Sequence, residues 1–156
     1  MEKRSWYVAV VGSASCPPEI EALAYRVGHE IARRQGILIC GGRGGVMAAA
    51  ARGAREGGGV TVGILPGPDR SEANPHLQVA LPTGLGDARN AIIACAADVV
   101  IAVGGGYGTL SEVALALKKS KPVVALAFAF PGVPGVVAAE SPVAAVELAL
   151  KLVARP

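Results

Sequence analysis

The residues best suited to chemistry are a glycine run, Gly104-Gly-Gly-Tyr-Gly-Thr109, an arginine, Arg89, and a glutamate, Glu112. The run follows Val99-Val-Ile-Ala-Val103, apolar at every position, and precedes Leu110, Val113, Ala114 and Leu117 at helical spacing. A strand, a turn and a helix N-terminus in that order make an anion site. Free N–H groups and the positive end of the helix dipole face the ligand, and glycine lets the backbone approach it closely. A phosphate is therefore expected on Gly104, Gly105, Gly106, Tyr107, Gly108 and Thr109. Two known fingerprints do not fit. No Gly-Lys pair occurs, which excludes the Walker A loop. Thr109 stands where the dinucleotide pattern, counted from Gly104, needs its third glycine.

Two further small-residue turns close apolar runs: Gly12-Ser13 after residues 6–11, and Gly41-Gly42-Arg43-Gly44-Gly45 after residues 37–40. Arg43 and Arg89, with Asn90 beside the latter, suit phosphate oxygens in fork geometry, or are simply solvated. Glu112 has two readings. Thr109-Leu-Ser-Glu112 has capping-box spacing, which requires no ligand. A carboxylate beside a phosphate turn also suits a ribose hydroxyl or an attacking water. His29 reads as a surface residue and His76, in the polar loop 66–76, as a minor site candidate. No metal is expected, because no metal-ligand spacing occurs. Of the three cysteines, Cys40 and Cys95 sit in apolar runs and read as core, whereas Cys16 follows the first strand in a loop. An odd count without a disulfide framework suits a reducing cytoplasm.

These groups need a scaffold, and the chain supplies strands alternating with helices. Strands are expected at 6–11, 37–40, 60–65, 77–81, 99–103 and 123–126. Helices are expected from Pro17-Pro18 to Gly36, at Val46–Ala51, from a Thr83 cap to Ala97, from Thr109 to Ser120, and near Ser141–Val153. The alternation predicts an α/β chain, residues 1–156 as a single Rossmann-like domain: a doubly wound parallel sheet with helices on both faces. In such a sheet ligands bind beyond the carboxyl ends of the strands, where all three glycine turns lie.

Composition narrows the classes further. The chain has 156 residues, 52% of them hydrophobic, only 4% aromatic, with a net charge of +3. The basic residues are scattered, so no nucleic-acid partner is expected. Met1-Glu-Lys-Arg4 and the short apolar run after it resemble a signal peptide, but no cleavage region follows before Pro17-Pro18. Residues 122–139 are uncharged yet broken by Pro131, Gly132, Pro134 and Gly135, so no membrane span is expected. Ala48–Ala51 and Leu115–Leu117 offer more apolar helix surface than one sheet face requires, which points to a homodimer or higher homo-oligomer.

Four segments together resemble the LOG (Lonely Guy) proteins and the related molybdenum cofactor carrier proteins. They are Gly41-Gly-Arg-Gly-Gly-Val-Met47, Gly63-Ile-Leu-Pro66, Arg89 nine residues before Asp98, and Gly105-Gly-Tyr-Gly-Thr-Leu-Ser-Glu112. The resemblance spans roughly residues 7–126. LOG enzymes hydrolyse the N-glycosidic bond of nucleoside 5′-monophosphates, and the resemblance implies that Arg89 and Glu112 would be the catalytic pair of such a hydrolase. The positions those enzymes give to His and Lys are Asp87 and Asn90 here, and Gly104 stands in place of a proline. In these departures the chain is more similar to the carrier branch, whose members hold a phosphate-bearing pterin cofactor without changing it. The resemblance thus implies a phosphorylated, nucleotide-like ligand, either the molybdenum cofactor or a nucleoside monophosphate, with no resident cofactor. Carrier, phosphoribohydrolase and nucleotide sensor are the readings it leaves, and it also implies dimers.

Overall fold

The computed structural model describes residues 5–154, so the charged start at Met1–Arg4 lies outside the described residues. The first strand, β1 (Trp6–Val11), leads to α1 (Pro18–Arg33), β2 (Gly36–Cys40), α2 (Val46–Glu56) and β3 (Val60–Leu65). There follow β4 (Val79–Pro82), α3 (Asn90–Ala96), β5 (Val99–Val103), α4 (Tyr107–Lys118), β6 (Val123–Leu126), β7 (Val136–Ala139) and α5 (Pro142–Val153). All strands are parallel, in one seven-stranded sheet of order β4-β3-β2-β1-β5-β6-β7. The order runs outward in both directions from the β1–β5 pair, the topological switch point of a doubly wound sheet.

Successive residues of a strand point to opposite faces, and both faces are covered. Val8, Val10, Leu38 and Ile101 pack under α1, α2 and α5, while Ala9, Val11, Ile39 and Val100 pack under α3 and α4. The first layer is dense because α1 and α2 cross at glycines. A Cβ at Gly28 would meet the Ala50 carbonyl, and one at Gly53 the Tyr25 carbonyl. Ala49, Ala50 and Ala51 are buried in this crossing, so most of the apolar surface read at Ala48–Ala51 is used within the chain. Glu30, only 9% exposed, binds Arg33 and Arg34, and Arg34 reaches Glu147 of α5. Burial alone would raise the Glu30 carboxyl, but the two arginines outweigh it and hold it below its ordinary value.

Several boundaries differ from expectation, each for a local reason. The strand expected at Leu77–Leu81 begins two residues later and ends at Pro82, because Thr61 anchors Gln78 N–H and the His76 carbonyl at its entrance. Thr83 does not cap a helix; its hydroxyl donates to the Leu65 carbonyl and accepts from Leu85 N–H. A single 3-10 turn, Gly86–Arg89, then precedes α3. The end of α1 is turned by Gln35, at φ +59°, and not by Gly36. Gly36 is required instead for space, since a Cβ there would meet Ile31 and Trp6. Cys95 is exposed and not core, because α3 turns only Ile93 and Ala94 inward. Among the described residues no helix is long and apolar enough to cross a membrane.

Candidate functional site

A cavity of about 360 Å³ opens at the carboxyl edge of the sheet, over the β1–β5 switch point. Its floor and rim come from four loops. Gly12 and Ser13 follow β1, Arg43 follows β2, and Asp87, Arg89 and Asn90 lie at the entrance to α3. Gly106 to Thr109 and Glu112 belong to the start of α4. The loops are tied together by backbone bonds: Val46 N–H donates to the Ser13 carbonyl at 3.0 Å, and Asn74 N–H to the Gly42 carbonyl at 2.9 Å. The polar loop at 66–76 thus serves as a brace for the second glycine turn. Asn74 Nδ2 also holds the Arg43 carbonyl at 2.9 Å, and Glu72 lies 3.7 Å from the Arg43 guanidinium.

The start of α4 is an open helix end. Its first intrahelical bond runs from Leu110 N–H to the Gly106 carbonyl, and Gly106 supplies no side-chain cap. The N–H groups of Tyr107, Gly108 and Thr109 precede that bond and so have no partner within the helix. Thr109 therefore occupies the third helical position instead of the cap, and the capping box with Glu112 does not form. The turn before the helix requires glycine at Gly105, where φ is +107° and a Cβ would collide with Thr109. At Gly106 and Gly108, by contrast, a Cβ would meet nothing within 4 Å. Those two positions border empty space in the cavity.

Arg89 is 9% exposed, and its Nη1 donates to the Gly41 and Ile64 carbonyls at 2.5 and 2.6 Å. The guanidinium thereby clips together the ends of β2 and β3. Its Nε has no hydrogen-bond partner, nor does the Asn90 Oδ1 next to it, although both are buried. Burial lowers the Arg89 value and the nearby Glu112 opposes this; the group stays charged. No ion pair within 4.0 Å joins Arg89 to Glu112 among the described residues. Burial pushes the Glu112 carboxyl up to about 7, outweighing Arg89, which pulls the other way. Burial likewise raises the Cys40 thiol beneath them to about 11, so it carries no charge at neutral pH.

Residues 5–149 match the SLOG cluster4 family. The chain belongs to that family. It is similar over nearly its whole length to solved structures of cofactor proteins. The molybdenum cofactor binding protein of Rippkaea orientalis is 38% identical, with 96% of this chain and 98% of that one covered at a TM-score of 0.90. The molybdenum cofactor carrier protein of Chlamydomonas reinhardtii is also 38% identical, covering 97% and 100% at a TM-score of 0.90. An uncharacterized protein of Archaeoglobus fulgidus is 46% identical over 119 residues, 76% of this chain and 78% of that one.

In this SLOG cluster4 chain the residues singled out from sequence divide into two groups. Gly12, Ser13, Arg43, Arg89, Asn90, Gly106, Tyr107, Gly108, Thr109 and Glu112 line the cavity. Gly41, Gly42, Gly44, Gly45, Gly104 and Gly105 stand behind them and shape the turns. Gly45, at φ +58°, lies against the Ser13 and Ala14 main chain, and Gly42 lies under Leu65. Ala14, Met47 and Asp87 also line the cavity. Asp87 had a signal in its place two residues before Arg89, whereas Ala14 and Met47 had none of chemical kind. His76 is not part of the lining; its carbonyl accepts from Thr61.

Glu112 yields a pH dependence of stability with a definite sign. Its folded value of about 7 exceeds the ordinary 4.5, so between those values the folded chain holds a proton that the unfolded chain has lost. Stability from this group is therefore present below the window and lost as pH rises through it. Glu112→Gln, which mimics the neutral form, is expected to raise the unfolding free energy at pH 8 by up to about 3 kcal/mol. At pH 4 it should change little. Urea unfolding at both pH values measures this, and a variant no more stable than wild type at pH 8 would contradict it.

Proposed function

We propose that this protein is a carrier of the molybdenum cofactor or a closely similar phosphorylated, nucleotide-like ligand, held without chemical change. The phosphate would sit on the free N–H groups of Tyr107, Gly108 and Thr109. The observation that carries this reading is the open α4 N-terminus facing a cavity that no Cβ from Gly106 or Gly108 fills. Oriented N–H groups and the helix dipole favour an anion there, and Arg43 and Arg89 add positive charge. The unpartnered Arg89 Nε and Asn90 Oδ1 supply one buried donor and one buried acceptor. A phosphate-bearing pterin, which carries oxygens at one end and N–H donors on its ring, fits that set. The relatives at 38% identity, one a molybdenum cofactor binding protein and one a molybdenum cofactor carrier protein, support the same cargo.

A second reading, nucleoside monophosphate hydrolysis, is favoured by one observation, the Glu112 carboxyl near neutral pH. A group with that value serves acid–base chemistry well, and as a carboxylate it stabilises positive charge developing on a ribose. Asp87 and Asn90, in place of His and Lys, argue for weak turnover or none. Gly106→Val separates binding from folding. The branched side chain enters only empty cavity, so the thermal midpoint should stay within a few degrees of wild type. Affinity for a phosphorylated pterin and for adenosine monophosphate should fall at least tenfold. Equal affinities would sink the phosphate site, and release of free adenine by wild type but not by Glu112→Gln would establish the hydrolase.

The carrier is inferred to act in the cytoplasm, which its three free cysteines favour. It is also inferred to act as a homodimer or larger homo-oligomer. Ile92 is 38% exposed on α3, with Cys95 and Ala96 exposed on the same helix and Ala114 on α4. Light scattering at micromolar concentration should give at least twice the chain mass, and a monomer would rule this assembly out.

A further inference from the structure

Two carboxylates stand wholly or partly out of water in this fold, and the fold treats them in opposite ways. Glu30 is held in contact by Arg33 and Arg34, which keep it charged. Glu112 has a guanidinium near it but not in contact. Among the described residues neither an ion pair nor a side-chain hydrogen bond engages its carboxyl. Glu112 stands one turn into α4 from Gly108 and Thr109. Helical side chains lean toward the N-terminus, so the carboxyl lies over those two residues, and all three line the same cavity of about 360 Å³. An anion seated on the free N–H groups of Tyr107, Gly108 and Thr109 shares that space with it.

The other charged and titratable groups around Glu112 come from several elements. Arg89 and Asp87 belong to the turn before α3, Arg43 to the turn after β2, and Cys40 to the end of β2. The strands β5 and β6, on which α4 packs, contribute none, and Tyr107 is the ionisable neighbour on α4 itself. Neither His29 nor His76 lines the cavity. Arg89 stays charged and burial keeps the Cys40 thiol neutral, whereas Glu112, which burial pushes up to about 7, changes its charge near neutral pH.

We propose that Glu112 is a proton-linked binding residue: its carboxyl enters the complex as the neutral acid, so the protein takes up a proton there as it seats its anion and gives the anion up when that proton leaves. This rests on the phosphate-site reading and deepens it by naming the state in which the site accepts an anion. As a carboxylate, Glu112 repels an anion across a cavity of this size, where charges are screened less than in bulk water. As the acid it carries no charge and has an O–H to donate to an anion oxygen, a stronger bond than one between neutral groups. Both effects favour the protonated form when the site is filled.

The probe is inorganic sulfate, a dianion throughout pH 5–9, so that its own charge stays constant while Glu112 titrates. A single linked proton gives a slope of up to about tenfold in affinity per pH unit. Titration calorimetry of wild type should therefore show Kd rising at least about tenfold between pH 6 and pH 9. Glu112→Gln keeps the shape and a donor without the titration, and should bind sulfate at both pH values about as tightly as wild type does at pH 6. A second readout needs no variant: at pH 7, in two buffers of different ionisation enthalpy, wild type should take up about half a proton per sulfate bound. An unchanged wild-type Kd, no proton uptake, or a loss at pH 9 that persists in Glu112→Gln would overturn the proton link and leave the anion site standing. Sulfate binding to neither protein at either pH, or binding that Gly106→Val leaves at wild-type strength, would overturn the anion site as well.

Discussion

A guanidinium buried at the edge of the sheet must keep its charge, and the site is arranged around that requirement. Arg89 satisfies part of it by donating to two strand-end carbonyls, Gly41 and Ile64. The clip sets the end of β2 against the end of β3 and so positions the second glycine turn. It also holds the entrance to α3, which places Asp87 and Asn90 on the cavity rim. The remaining charge is not cancelled by a neighbouring carboxylate in ion-pair contact. Glu112 stands near but takes up a proton readily, with a value of about 7, and Cys40 beneath stays a neutral thiol. A buried cation with incomplete partners is costly in isolation. An arriving phosphate would complete the set.

The same edge carries a second requirement, that of the α4 N-terminus. Three N–H groups point out of a helix that has no side-chain cap. Ser141 closes the corresponding end of α5 by accepting from Ala144 N–H at 3.1 Å, whereas α1, α2 and α3 begin, like α4, without a side-chain cap. What sets α4 apart is that its open end faces the cavity. Glycine at positions 106 and 108 then leaves the space in front of those N–H groups free.

The sheet was legible because its central strands are buried on both faces, and residues 6–11, 99–103 and 123–126 show this as unbroken apolar runs. The glycine turns were legible for the same reason as the strands that end in them. Other features depended on contacts between distant residues. The helix α4 starts two residues before Thr109, with Gly106 at the cap, so the Thr–Glu spacing falls inside the helix and closes nothing. The edge strand β7 was hidden in a stretch rich in Pro and Gly, and so was the cluster of three rings, since nothing local ties Phe128 and Phe130 to Tyr107. Cys95 was misread because Ile92 to Cys95 are all apolar, and only the packing of α3 on the sheet decides which two of them turn inward. The clip made by Arg89 could not be seen at all, for it needs the ends of two strands.

The central claim is that the open end of α4 is where an anion binds. The amide resonances of ¹⁵N-labelled protein, followed during titration with inorganic phosphate, report this directly. The largest shifts are expected at Tyr107, Gly108 and Thr109, with smaller ones at Gly12 and Ser13 across the cavity. Phosphate-induced shifts confined to other parts of the chain, with those three amides unmoved, would contradict the account.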